Sequence, residues 1–195
     1  MTPVDPSRTT LTTAASMRVL AHPTRLRLLG LLRERGAQTA AQLGDIVDEA
    51  PGTVSYHLGK LAAFDLIEPA ADQGTDRRER WWRATAPLTS WEPAELLDDP
   101  DKLAASGALQ KSIAQVYATR YGEYIDATPS MPRLWVAAAA SGDRSLRLTV
   151  DELAAMRADL EDLVDRWVEV SARHDPATAD GAEGVAIVYQ AFRRP

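Results

Sequence analysis

Gly52, Thr53, Ser55, Tyr56 and Lys60 crowd one short stretch, and Arg77, Arg78 and Arg80 follow close behind. Their hydroxyls, phenol, amine and guanidiniums are hydrogen-bond donors. Read as a helix, segment 51–64 places Val54, Leu58 and Leu61 in a narrow apolar stripe, with Tyr56 and Lys60 opposite. Gly52, Gly59 and Ala63 keep the outer side slim. A glycine costs roughly 1 kcal/mol against alanine in an exposed helix, so two of them on one face point to close approach by another body. A helix anchored on one side, slender and donor-bearing on the other, suits the major groove of duplex DNA. Thr53 is placed to reach a base edge or a phosphate, and Ser55 either does the same or satisfies local backbone. His57 lies slightly off the buried stripe and reads as a half-buried packing residue rather than a ligand.

The elements around this helix follow from punctuation. A first helix spans about 11–21, and Pro23 opens a second, rich in leucine, that closes at Gly36 after Arg33 and Arg35. Thr39 and Gln42 have capping-box spacing and start a third helix through Leu43, Ile46 and Val47. Pro51 opens the fourth, so the third and fourth form a helix pair across a short turn. Residues 67–84 read as a hairpin: a strand at 80–83 returns opposite 66–70, with 72–76 as the tip. Residues two apart share a strand face, so Arg78 and Arg80 project together and Arg77 projects opposite. Trp81 and Trp82 read as structural, one packing under the hairpin and the other against the junction to the C-terminal half.

Charge separates the chain into two halves. The sequence has 195 residues and a formal net charge of −6. Residues 1–90 carry 11 Lys+Arg and 10 Asp+Glu, whereas residues 91–195 carry 11 and 18. Phosphate binding depends on charge at the contact surface, so an acidic total does not exclude a nucleic-acid partner. Absence of cysteine excludes disulfides and thiolate-held metals. The first residues lack the apolar run of a signal peptide, and the longest apolar stretch, 134–140, is too short to span a bilayer. A cytoplasmic setting without membrane contact is therefore expected.

Beyond a proline-punctuated acidic connection at 87–100, apolar residues recur at helical spacing from Leu109 to Tyr124. Residues 135–140 and 145–148 read as a β-hairpin. Thr149 and Glu152 form a second capping-box pair before a long amphipathic helix, and 185–192 reads as a last strand. Tyr117, Tyr121, Trp135 and Trp167 could line an apolar effector pocket, or equally belong to a core and dimer interface. The acidic half shows no nucleophile–base pair, phosphate-cradling glycine loop or metal-ligand spacing, which speaks against an enzyme or a cofactor.

Three segments together resemble the ArsR-like bacterial repressors. Residues 20–29 (Leu-Ala-His-Pro-Thr-Arg-Leu-Arg-Leu-Leu) resemble their second-helix signature, and 53–61 (Thr-Val-Ser-Tyr-His-Leu-Gly-Lys-Leu) their recognition helix. Residues 77–82 (Arg-Arg-Glu-Arg-Trp-Trp) resemble the returning wing strand of a branch with an extra C-terminal domain. The resemblance implies a homodimeric winged helix-turn-helix regulator, usually a repressor, that leaves its inverted-repeat operator when an effector binds or conditions change. Metal-sensing members carry Cys-x-Cys or paired His and carboxylate ligands, and this chain has no such spacing. Asp65 stands where the family often has glycine, which alters the entry to the wing.

The expected fold class is α+β and mainly helical. A winged helix-turn-helix domain at 1–87 precedes a smaller α/β region at 101–195 that holds an antiparallel sheet and serves dimerisation or an effector. The expected partners are double-stranded DNA, a second copy and, if regulated, a small molecule. The rival reading is a protein-interaction module on the same scaffold that does not bind DNA, kept open by the near-neutral charge of residues 1–90.

Overall fold

The computed structural model describes residues 8–71, 79–174 and 180–194. Its contacts divide the chain into two units, Met1–Pro129 and Ser130–Pro195. The first begins with a short strand, β1 (Arg8–Thr10), and a helix, α1 (Ala14–Leu20). Thr13 caps α1 by accepting the Ser16 amide hydrogen at 3.1 Å, while Leu11 is buried in the extended lead-in. Helix α2 (Pro23–Arg35) starts at its proline and stops at Gly36, whose φ of 74° lies in the region glycine enters freely. Leu28, Leu29, Leu31 and Leu32 put its leucine-rich face into the core.

A two-residue strand, β2 (Gln38–Thr39), leads into α3 (Ala40–Val47). The expected capping box is formed: the Gln42 amide donates to Thr39 Oγ1 at 3.2 Å, and the Thr39 amide donates to Gln42 Oε1 at 2.8 Å. Helix α4 (Pro51–Ala62) follows across a turn too tight for a side chain. A Cβ placed on Gly44 would lie 2.6 Å from the Glu49 carbonyl oxygen. The Glu49 amide also donates to the Gly44 carbonyl at 3.1 Å, and Asp48 closes α3 in a left-handed conformation.

Strand β3 (Ile67–Pro69) pairs antiparallel with β4 (Trp81–Ala84), opposing Ile67 to Ala84, Glu68 to Arg83 and Pro69 to Trp82. The other edge of β4 takes β2, opposing Gln38 to Trp82 and Thr39 to Trp81, so the sheet order is β2-β4-β3. This is the hairpin read from the sequence, with its tip at 72–76 outside the described residues. Asp65 enters it at φ 55°, a left-handed conformation that a glycine would adopt without the Cβ penalty. The Thr85 hydroxyl donates to the Asp65 carbonyl at 2.7 Å and fixes that corner.

The connection at 87–100 is not the open boundary its prolines suggested. β5 (Leu88–Ser90) lies parallel to β1, and a 3₁₀ turn at Pro93–Leu96 buries Leu96 in the core. The Arg33 guanidinium donates to the Ala86 carbonyl at 3.0 Å and to Thr89 Oγ1 at 2.7 Å, tying this return to α2. Helix α5 (Pro100–Ala127) then buries Ala105, Ser106 and Leu109. It packs on α1, where Asp101 pairs with Arg18, and on α2, where Arg120 pairs with Glu34 at 2.8 Å. By packing, α5 thus belongs with the N-terminal elements, although the sequence pattern grouped it with the C-terminal region.

The second unit contains α6 (Arg133–Ala138) and α7 (Val150–Ser171). The capping box at Thr149 and Glu152 is present, with the Glu152 amide donating to Thr149 Oγ1 at 3.2 Å. Trp135 lies in α6 rather than in the first arm of a hairpin. A short apolar run does not distinguish helix from strand by periodicity, and the alanines here favour helix. Among the described residues no strand forms at 145–148 or 185–192, where Leu146, Val185, Ile187 and Phe192 are exposed. A strand pattern is realised only when a facing edge and apolar layer are supplied. Among the described residues the expected sheet of the C-terminal region is therefore not formed, while the fold is mainly helical with a small antiparallel sheet.

The bare backbone at Gly44 gives a direct test. Gly44→Ala should destabilise the chain by about 1–3 kcal/mol in urea unfolding, because the neighbour that must yield is backbone. Gly107→Ala in α5, with open space around it, should be neutral or stabilising by up to about 1 kcal/mol.

Candidate nucleic-acid interface

Helix α4 has two unlike sides. Val54, Leu58 and Leu61 are fully buried, and His57 joins them at 8% exposure. Gly52, Thr53, Ser55, Tyr56, Gly59 and Lys60 are all exposed, Tyr56 at 59%. The stripe read from the sequence is therefore the seat of the helix. Its polar residues share the outer surface.

That surface is organised. The Lys60 ammonium stands 5.4 Å from the centre of the Tyr56 ring, within reach of a cation–π attraction. Tyr56 in turn meets His57 edge-on, with ring centres 5.4 Å apart. Among the described residues nothing lies within 4 Å of a Cβ added at Gly52 or Gly59. The fold thus does not need either glycine, although each lowers the intrinsic stability of α4.

The wing supplies the second cationic element. The Arg80 guanidinium lies 4.1 Å from the centre of the Trp82 ring, and Trp82 is buried. Arg83 pairs with Glu68 across the strands at 2.8 Å. Arg77 and Arg78 fall outside the described residues. Trp81 is half-buried beside its partner.

Residues 20–70, from the end of α1 through β3, match a family described as a helix-turn-helix domain. A crystal structure of a possible transcriptional regulator for arsenical resistance is 31% identical in sequence. The match covers 50% of this chain and 82% of that one, with a TM-score of 0.32. The chain belongs to the ArsR-like winged helix-turn-helix transcriptional regulators. Lactococcus lactis ZitR in apo form is 17% identical over 75% of this chain and 83% of that one, with a TM-score of 0.32. A MarR family regulator from Neisseria meningitidis is 18% identical over 77% of this chain and 78% of that one, with a TM-score of 0.31. These superpositions are loose, and the assignment rests on sequence. No curated protein sequence matches the chain.

Elsewhere in the regulator, Tyr117 and Tyr121 lie on α5 of the first unit, and Trp135 and Trp167 on α6 and α7 of the second. All four are exposed, and Tyr121 stacks on Tyr124 with ring centres 5.9 Å apart. The described residues hold no group of three or more side chains suited to a metal ion. No described helix is long and apolar enough to cross a membrane.

One feature of the regulator escaped the sequence reading. His22 and His57, far apart in sequence, touch with ring centres 4.7 Å apart. His22 Nδ1 accepts the Thr24 amide hydrogen at 3.2 Å and so caps α2. A histidine directly before a helix-opening proline was the available signal, but histidine is not among the usual capping residues.

The unneeded glycine at 59 separates folding from recognition. Gly59→Ala should stabilise the free regulator by up to about 1 kcal/mol in urea unfolding. On the reading that α4 faces DNA with its outer side, the same change should weaken DNA binding in fluorescence anisotropy.

Proposed function

We propose that this regulator is a homodimeric repressor that reads an inverted repeat in double-stranded DNA and acts in the cytoplasm. The observation that carries the reading is the two-sided α4, with a fully buried apolar stripe and an outer face bearing Tyr56 and Lys60. In this reading α4 enters the major groove. Tyr56 and Thr53 contact bases or sugars, Ser55 and the backbone at Gly52 approach the phosphates, and Lys60 with Arg77, Arg78 and Arg80 neutralises them. Holding Lys60 over Tyr56 and Arg80 over Trp82 restricts both cations before DNA arrives, which lowers the ordering cost of binding.

In this reading residues 1–87 serve DNA binding and 101–195 serve dimerisation or regulation, with α5 packed on the DNA-binding elements, and the protein works without metal and without catalytic activity. Dimerisation is assigned to α1 and α5, whose Tyr117, Tyr121 and Ile125 remain exposed in one chain. Tyr117 and Tyr121 on the first unit, and separately Trp135 and Trp167 on the second, are the exposed aromatics offered to a small-molecule effector. Two copies would read half-sites about one helical turn, roughly 10 base pairs, apart or a multiple of that.

Electrophoretic retardation of a duplex from the gene's own upstream region tests this. With four cations per protomer on phosphates, log affinity should fall with log salt at a slope of roughly −7, and Lys60→Ala should reduce that slope by about 2 in the dimer. Arg78→Ala should weaken binding on every sequence. Equal retardation of the parent, Lys60→Ala and Arg78→Ala proteins on all duplexes would favour the interaction-module reading, which the +1 balance of residues 1–90 keeps in view.

A further inference from the structure

His22 and His57 form a contact whose two members both need to be neutral. His22 Nδ1 is an acceptor in the structure, taking the Thr24 amide hydrogen that begins α2. A proton on that nitrogen turns the acceptor into a donor and leaves the amide without its cap. His57 Nδ1 is buried with no hydrogen-bond partner among the described residues. A proton there creates a buried, unpaired N–H that carries part of a positive charge. The ring centres are 4.7 Å apart, so a charge on one imidazole opposes a charge on the other.

The surrounding groups add to this opposition. Arg25 of α2, whose guanidinium donates to the Val19 carbonyl, acts on both rings as a like charge. Glu49, in the turn between α3 and α4, is the opposing carboxylate, and its effect is smaller. Tyr56 meets the edge of His57 from the outer face of α4. Of the charged groups on the other packed elements, Arg18 on α1 is paired with Asp101, and Glu68 on β3 with Arg83. Burial first and Arg25 second hold both imidazoles below their ordinary value. In the window just below that ordinary value the unfolded chain binds protons that the folded chain refuses, so stability falls as pH falls.

The position of the pair gives this chemistry a consequence. His57 belongs to the buried side of α4, directly beside Tyr56, and His22 holds the start of α2. We propose that the His22–His57 contact is an acid-sensitive latch: protonation separates the two rings, unseats α4 from the N-terminus of α2, and releases DNA. The latch rests on the DNA-binding reading for its output but not for its chemistry. It also predicts a sign opposite to the general one. Acid makes a chain of net charge −6 less negative, which by itself tightens binding to a polyanion.

The test measures anisotropy of a fluorescent duplex from the upstream region, and of sheared genomic duplex, from about pH 7.5 to about pH 5.5 at fixed ionic strength. The parent protein should lose affinity several-fold towards the acid end of that range, because both imidazoles charge below their ordinary value. His22→Asn/His57→Phe keeps a capping acceptor and the ring volume but cannot titrate, and its affinity should hold or rise. In parallel, NMR of the free parent protein should show both imidazoles titrating below the ordinary range, with α4 amide resonances moving at the same midpoint. Parent affinity that is unchanged or tighter in acid overturns the latch. So does either imidazole titrating at or above its ordinary value, even if the variant fails to fold. Absence of any binding at the upper pH overturns the DNA-binding reading instead, and the NMR titration then decides the latch alone.

Discussion

The turn between α3 and α4 passes over bare backbone, and the rest of the head depends on that closeness. With a Cβ at residue 44, the Glu49 carbonyl could not stay where it is, 2.6 Å from that site. The turn fixes where α4 leaves α3 and therefore which of its sides meets the core. Once that angle is set, burial of Val54, Leu58 and Leu61 holds the helix in rotation. Thr53, Ser55, Tyr56 and Lys60 are then turned outward as a group. A recognition surface is thus produced by packing on the far side of the helix, and no outward residue has to stabilise it.

The cations of this surface share a second device. Lys60 rests against Tyr56 and Arg80 against Trp82, each with an aromatic ring as the platform. A long basic side chain free in solvent surrenders rotamer entropy when it meets a phosphate, and a ring that already restricts it reduces that loss. This matters in a protein whose total charge repels DNA. With a balance of only +1 over residues 1–90, attraction at a distance is weak, and affinity must come from charges well placed at contact.

What could be read from the sequence was what local chemistry decides. Pro23 and Pro51 at helix starts, Gly36 after a helix end and the Thr39–Gln42 and Thr149–Glu152 boxes all act within a few residues, and all appear in the structure. The stripe of α4 was readable for the same reason, since 3.6-residue periodicity is a local property. The misses depend on partners distant in sequence. β1 is a polar three-residue strand that exists because β5 returns beside it. The 87–100 connection looked like a linker because nothing local reveals that Leu96 is buried. Residues 145–148 and 185–192 have the alternation of strands and no edge to pair with in the described residues. The His22–His57 contact required knowing how α2 and α4 cross. Of the residues named for the interface, those on α4 share one exposed face, and Arg80 lies on an aromatic ring that the sequence had assigned only to packing.

Strand β4 joins these parts into one mechanical unit. Through Trp81 it pairs with Thr39, the residue that caps α3, and through Trp82 with both Gln38 and Pro69. Trp82 also carries Arg80 on its exposed side while its bulk fills the core against which α4 is seated. The start of the helix-turn-helix and the root of the wing therefore share a single strand. A close-packed interior transmits displacement instead of absorbing it, so a shift of β4 moves the wing cation and the base of α3 together. The outer face of α4 and the wing need no separate controls. Whatever disturbs the core beneath them, including an altered charge at the α2–α4 contact, acts on a surface that was rigid only because that core was.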